Sequence, residues 1–394
     1  MGVQNETQTF VKTAHLVTIL QLIHRQPGIS RPELCKRTGL MPSTMHVAIV
    51  KLMADGLIVT QGMAASNGGR RANQYRLAPG IGCVGSISIR LNRMEAGVFD
   101  LSLQMLAREE IELSLATLGP ETYTGQAVQL LERCMAQIRL PREKLLGVGV
   151  TLPGPVDTRT GVIQQISGAP KWRQFPMGER LRQALNCPIV TDKDVYAALV
   201  LLTQTGQIQY PGSCAYLSIC EGIGSALMVN GQVYRGSNSL AGEIGHLPVR
   251  KDGIPCACGN TGCLELYCSD IGIVQQYNAQ SSSKQTTVAQ VLALAQGGDV
   301  TASRVISQAI SYLVDTTATI IMTYDPQELV IFCTWLQNQR GLYFWMLDTL
   351  YAKSIFTQQR AARIRLLAED PLNLSAAAAL AVQQALEAAV VNPS

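Results

Sequence analysis

Three thiols and one imidazole stand within eighteen residues of one another: His246, Cys256, Cys258 and Cys263. They lie in the runs Gly242-Glu-Ile-Gly-His246, Cys256-Ala-Cys-Gly259 and Gly262-Cys-Leu-Glu265. Their number and type match a tetrahedral Cys₃His zinc shell. Buried free cysteines are common in cores, but Cys-x-Cys-Gly-x₃-Cys supplies the glycines that let a tight loop gather three sulfurs around one ion. Four protein ligands leave no open position for water, so such a metal is expected to be structural rather than hydrolytic. Glu243 and Glu265 flank the loop as carboxylates, and Cys268 is the nearest further thiol.

The elements that must carry this loop are part of a chain of 394 residues, long enough for two or three domains. Eleven cysteines, most scattered singly, suit a reducing compartment better than a disulfide framework, and a cytoplasmic location is expected. No signal-like basic-then-apolar start is present, and no uninterrupted apolar run reaches about 18 residues; residues 376–391 come nearest. The net charge of +4 hides an asymmetry. Residues 1–80 carry nine Lys/Arg against three acids, a net +6, so the remainder is mildly acidic at −2. A small basic module beside a larger acidic one points to a polyanionic partner for the first part.

Within those eighty residues, apolar positions from Thr13 to His24 follow helical spacing until Pro27-Gly28. Ser30-Arg-Pro-Glu33 opens a second helix with a capping box, and Gly39 supplies a turn. A third helix starts at Ser43-Thr44 and stops at Asp55-Gly56. This is a helix-turn-helix, in which the last helix enters the major groove. Residues 57–59 and 74–77 read as strands of a wing whose tip holds Arg70 and Arg71 beside Gly68-Gly69. Ser43, Thr44 and His46 are the expected base or phosphate contacts. Lys51, Arg70 and Arg71 are expected on the DNA backbone, the two arginines alternatively in the narrow groove.

From Ile81 onward, strand-like runs (84–89, 95–100, 145–151, 188–191, 215–220, 226–229, 328–332) alternate with helical ones (125–138, 176–185, 194–203, 288–295, 301–324, 374–389), which predicts an α/β fold. The domain boundary is expected near Pro79-Gly80, giving domains 1–80 and 81–394.

Gly242-Glu-Ile-Gly-His246 with the following Cys-x-Cys-Gly-x₂-Gly-Cys-x-Glu element resembles the signature of the ROK family, which groups bacterial sugar kinases with NagC- and Mlc-type repressors. Residues 153–157 and 230–236 are similar to further family segments, and the resemblance spans roughly 81–390. It implies two lobes of actin/hexokinase-like (ribonuclease H-like) topology, a sugar cleft between them, and dimers or dimers of dimers. By the same resemblance, Glu243, His246 and Glu265 are expected sugar contacts, with Gly154 and Lys193 also at the ligand site, and His246, Cys256, Cys258 and Cys263 ligate zinc.

A kinase of this family needs a glycine-rich phosphate turn after its first strand. The matching stretch is Ser88-Ile-Arg-Leu-Asn92, without the carboxylate or the glycines. The family's catalytic Asp aligns with Lys193, between Asp192 and Asp194, and an ammonium has the wrong charge for a general base. Trp335 stands where a Gly-Gly pair makes room for adenosine. Lys171 replaces an Asn that contacts sugar. Lys171 and Lys193 either favour an anionic ligand or pair with Glu243 or Asp192 and leave the cleft vestigial. The expected function is a non-enzymatic, sugar-responsive transcriptional regulator, most simply a repressor, binding double-stranded operator DNA. The alternatives are an active ATP-dependent sugar kinase with a DNA-binding arm, and a regulator controlled by a protein partner.

Overall fold

The computed structural model describes residues 2–63, 72–209, 212–352 and 363–391. Its N-terminal head begins with α1 (Gly2–Arg25), whose Leu16, Ile19, Leu20 and Ile23 fall on one buried stripe. Strand β1 (Ile29–Ser30) leads into α2 (Arg31–Thr38). There the Glu33 carboxylate accepts the Ser30 N–H at 3.0 Å and the Ser30 hydroxyl at 2.7 Å, which fixes the start of the helix. Gly39, at φ +70°, ends α2 in the left-handed conformation that a side chain would resist. Helix α3 (Pro42–Ala54) begins one residue before the Ser43 start expected from sequence. Strands β2 (Ile58–Met63) and β3 (Asn73–Leu77) pair antiparallel as the wing, with β1 on the other side of β3. The wing tip, with Arg70 and Arg71, lies outside the described residues.

The first lobe contains β4 (Cys83–Ile89), β5 (Arg93–Asp100), β6 (Met105–Glu112), α4 (Pro120–Gln137), β7 (Leu145–Leu152), a small sheet of β8 (Val156–Asp157), β9 (Val162–Ile166) and β10 (Ala169–Phe175), then α5 (Met177–Leu185), β11 (Ile189–Lys193) and α6 (Asp194–Gln204). The second lobe contains β12 (Ser213–Ile219), β13 (Ile223–Val229), β14 (Gln232–Tyr234), α7 (Glu265–Cys268), α8 (Asp270–Gln280), α9 (Val288–Gln296), α10 (Val300–Tyr324), β15 (Glu328–Cys333), α11 (Arg340–Tyr351) and β16 (Arg363–Leu366). The last helix, α12 (Leu374–Val391), crosses back to the first lobe.

Both lobes are built on the same sheet. The orders are β11-β7-β4-β5-β6 and β14-β13-β12-β15-β16. In each, three strands meander antiparallel, a fourth joins the first strand in parallel, and a fifth joins the fourth in parallel. This duplication is the ribonuclease H-like topology expected above.

Helix α12 lies on β4, β7 and α6. Its run Ala376 to Ala379 is fully buried, and small side chains let the backbones meet closely. A Cβ on Gly149 of β7 would sit 1.8 Å from the Ala377 carbonyl oxygen. The outer side of α12 faces α1. As a result Leu16, Ile19, Ile23, Leu34, Ile49 and Leu52 of the head form one apolar cluster with Val84, Phe99, Ala378, Val382, Leu386 and Val390. By length and composition α10 and α12 could each cross a bilayer, which differs from the expectation that no segment qualifies; in both, 61% of the apolar window is buried inside the lobes.

Candidate functional site

The zinc-type loop is shaped by its backbone. Cys256 N–H donates to the Asn260 carbonyl at 2.8 Å, Gly259 N–H to Cys256 at 3.0 Å, and Gly262 N–H to Ile254 at 2.8 Å. Gly262 has φ +72°, and a Cβ there would stand 1.8 Å from the Arg250 carbonyl oxygen. The ligand atoms of His246, Cys256, Cys258 and Cys263 all lie within 4.8 Å of one another. His246 Nδ1 is 3.8 Å from Cys256 Sγ, and Cys258 Sγ is 3.6 Å from Cys263 Sγ. A tetrahedral zinc with Zn–S bonds of about 2.3 Å spaces its sulfurs by about 3.8 Å, so the donor set fits that ion.

Both ends of the loop reach the space between the lobes. Glu243 precedes the short turn Ile244–His246, and Glu265 opens α7 directly after Cys263-Leu264. The Glu265 carboxylate accepts the Ile223 N–H at 2.9 Å, tying the loop to the turn between β12 and β13. Glu243, His246 and Glu265 line a cleft of about 520 Å³ together with Gly154, Lys193, Asp194 and Arg90. That is the size range of sites for small organic ligands. A Cβ on Gly154 would come within 2.9 Å of the Gln165 carbonyl oxygen, so this wall of the cleft depends on a glycine.

Lys193, at the junction of β11 and α6, pairs with Glu243 across the cleft, its side chain 6% exposed. For Lys193 this is the pairing with Glu243 that the sequence offered as one alternative, although the cleft beside it stays open at about 520 Å³. Lys171 is not in the cleft: its ammonium donates to the Thr117 carbonyl at 3.0 Å on the outside of β10, while Trp172 beside it is buried. Asp192 is buried, and the Arg235 guanidinium holds its carboxylate. Asp194 lines the cleft beside Lys193. Its oxygen accepts the Val195 N–H at 2.7 Å, and desolvation pushes its pKa up to about 6 against the pull of Lys193 and Arg90. Sequence reasoning missed Arg235 as a cleft-side partner; nothing in the spacing of residues 192 and 235 signals it.

The phosphate side is different. The turn between β4 and β5 is Arg90-Leu91-Asn92, and the Arg90 guanidinium donates to Asp370 at 2.9 Å and to the Leu372 carbonyl at 2.8 Å, just before α12. The opposition of Arg90 and Asp370 is a pairing over 280 positions that no local motif could reveal. Next to this turn, an opening of about 360 Å³ is bordered by Glu110, Glu112, Glu221 and Asp270 against Arg90 and Arg93. Trp335 is buried in the second lobe, its indole N–H donating to the Cys268 carbonyl at 2.9 Å.

In the head, Ser43, Thr44, His46 and Lys51 all lie on the exposed face of α3. Lys51 is paired with Asp55 at 3.0 Å. Met45, Ala48, Ile49 and Leu52 form the buried face.

A winged helix joined to a duplicated, two-lobed sugar-kinase-like body defines the class of protein. The ROK family profile matches residues 84–383, and a winged helix-turn-helix DNA-binding profile matches residues 16–59. The chain belongs to the ROK family. It is 25% identical over 324 residues to a xylose repressor of Bacillus subtilis, covering 82% of this chain and 83% of that one. It is 27% identical over 331 residues to the DNA-binding transcriptional dual regulator NagC of Escherichia coli, covering 82% and 80%. Among solved structures, a ROK family transcriptional regulator homologous to the Escherichia coli MLC protein superposes with a TM-score of 0.78 at 20% identity, over 97% of this chain and 99% of that one. A ROK hexokinase from Thermus thermophilus reaches 0.61 at 25% identity, over 75% and 97%.

Proposed function

We propose that this protein is a sugar-responsive DNA-binding repressor whose kinase-like body binds a carbohydrate without phosphorylating it. The observation that carries the reading is the contrast between the two sides of one cleft. Glu243, His246 and Glu265 line the sugar side, whereas on the phosphate side Arg90 stands in place of a glycine turn and is fastened to Asp370 and Leu372. The repressor names of its relatives support the same assignment.

The ligand in this reading is an uncharged sugar. Lys193 is neutralised by Glu243 and Arg90 by Asp370, so among the described residues lining the cleft neither of these cations is left to match a sugar phosphate, while the carboxylates of Asp194, Glu221 and Glu265 remain. The four-ligand loop holds a structural zinc that fixes Glu243 and Glu265 on the cleft wall. The chain acts as a homodimer, pairing two α3 helices over half-sites about 34 Å apart, in a reducing cytoplasm that keeps the loop thiols free. Sugar binding favours a form of the body with lower operator affinity, which requires different sugar affinity in the two forms.

Calorimetry with neutral and phosphorylated sugars, combined with operator binding in the presence of each, tests this. A neutral sugar that binds and releases DNA, with no ADP formed from ATP, is the expected result. ADP release coupled to sugar phosphate formation would falsify the non-enzymatic reading. Heat from none of the sugars would point to a vestigial cleft, and light scattering of the full chain reads the oligomeric state.

A further inference from the structure

The DNA-facing helix presents an apolar row to solvent. Val47 is 67% exposed, Val50 51% and Met53 42%, and Met41, immediately before the helix, is 69% exposed. Single exposed aliphatic residues are ordinary on any surface. Here they cluster on one thirteen-residue helix whose other face is fully committed to the core. Ser43, Val47 and Val50 follow i, i+4, i+7 and therefore share one stripe, with Thr44 and His46 beside it. The helix holds no Arg, Asn or Gln, the residues that read guanine or adenine through paired hydrogen bonds, and its one lysine is engaged by Asp55.

A stripe of this kind, on the second helix of a helix-turn-helix in a head of net charge +6, faces the major groove. The only apolar group that B-DNA offers there is the C5-methyl of thymine. We propose that Val47, with Val50 beside it, reads thymine methyl groups in each operator half-site. The two valines are separated by about 4.5 Å along the helix axis, so their methyls belong to base pairs one or two steps apart. Ser43, Thr44 and His46 then supply register and polar contacts, and sequence discrimination comes chiefly from apolar contact. This inference rests on the DNA-binding role proposed above.

The test uses the full-length protein. Duplexes selected by it from a random pool are resynthesised with each thymine replaced in turn by deoxyuridine, which removes one methyl and leaves base pairing unchanged, and affinity is read by fluorescence anisotropy. Loss of one buried methyl is expected to weaken binding about fourfold at one or two positions per half-site. In Val47→Ser, whose exposed site leaves the fold intact by circular dichroism, thymine and uracil at the affected position are expected to bind within about twofold of each other. Uracil tolerated at every position, or a Val47→Ser protein that still distinguishes the two bases, overturns the inference while leaving the DNA-binding role standing. So does a Val47→Ser protein with unchanged DNA affinity but altered self-association, which would show that a second copy covers the row. Failure to select any duplex overturns both.

Discussion

Asp194 is the residue whose chemistry most depends on its surroundings. Its carboxyl is pushed up to about 6 by desolvation, so the folded protein holds that proton to higher pH than the unfolded chain does. Below pH of about 4 both states are protonated and the burial costs nothing; as pH rises through 6 the folded state must ionise an unfavourably placed group. Asp194→Asn is therefore expected to raise stability by roughly 2–3 kcal/mol at pH 7.5, with the gain vanishing as pH falls towards 4. Thermal melts of both proteins across that range check it, and a gain that grows on acidification would contradict the sign. The Cys₃His loop yields a second expectation. Cys258→Ser removes one of four donors that lie within 4.8 Å, so zinc content measured by mass spectrometry should fall to a small fraction of one per chain. Sugar affinity should fall with it, because Glu243 and Glu265 are positioned by the two ends of that loop; unchanged affinity in the metal-free protein would disconnect loop from cleft.

Secondary-structure elements differ in how much of themselves they write into the sequence, and the reason is burial. The central strands β4, β5, β7, β12, β13 and β15 are legible as continuous apolar runs because they are covered on both faces. The sequence reading passed over β6, β14 and β16, each at a sheet edge, where alternate or solvent-facing positions carry charge, as in Met105–Glu112. The loop cysteines and the capping box at Ser30 were legible because their meaning is local. The Arg235–Asp192 and Arg90–Asp370 pairs were not, since each joins residues from separate elements, whereas pairing of Lys193 with Glu243 was one of two alternatives the sequence left open. Helix α12 shows the cost of close packing. Gly149→Val would drive a side chain into the Ala377 carbonyl, and a loss of about 3 kcal/mol or more in urea unfolding is expected, against a near-neutral effect for the same change at the open Gly125 beyond helix propensity.

At the scale of the molecule, Arg90 joins the cleft to the DNA-binding head. It lines the ligand space, holds Asp370 and the Leu372 carbonyl, and so secures the segment from which α12 runs beneath α1. Coupling between two sites needs an element whose arrangement both can bias; α12 packs against α1 of the head, and Leu372 just before it lines the cleft. Arg90→Met is expected to leave sugar affinity within about threefold while shrinking the sugar-induced loss of operator binding by fivefold or more. Operator anisotropy with and without saturating sugar reads this, and undiminished release in the variant would remove Arg90 from the route.

Because Leu16, Ile19 and Ile23 of the head rest in the same apolar cluster as Val382, Leu386 and Val390, the first eighty residues are not a detachable reading head. A chimaera that grafts the winged helix of another regulator onto this body must bring along, or rebuild, the complementary ridge of the final helix. Otherwise it leaves greasy surface open to water at the very joint through which the signal has to travel.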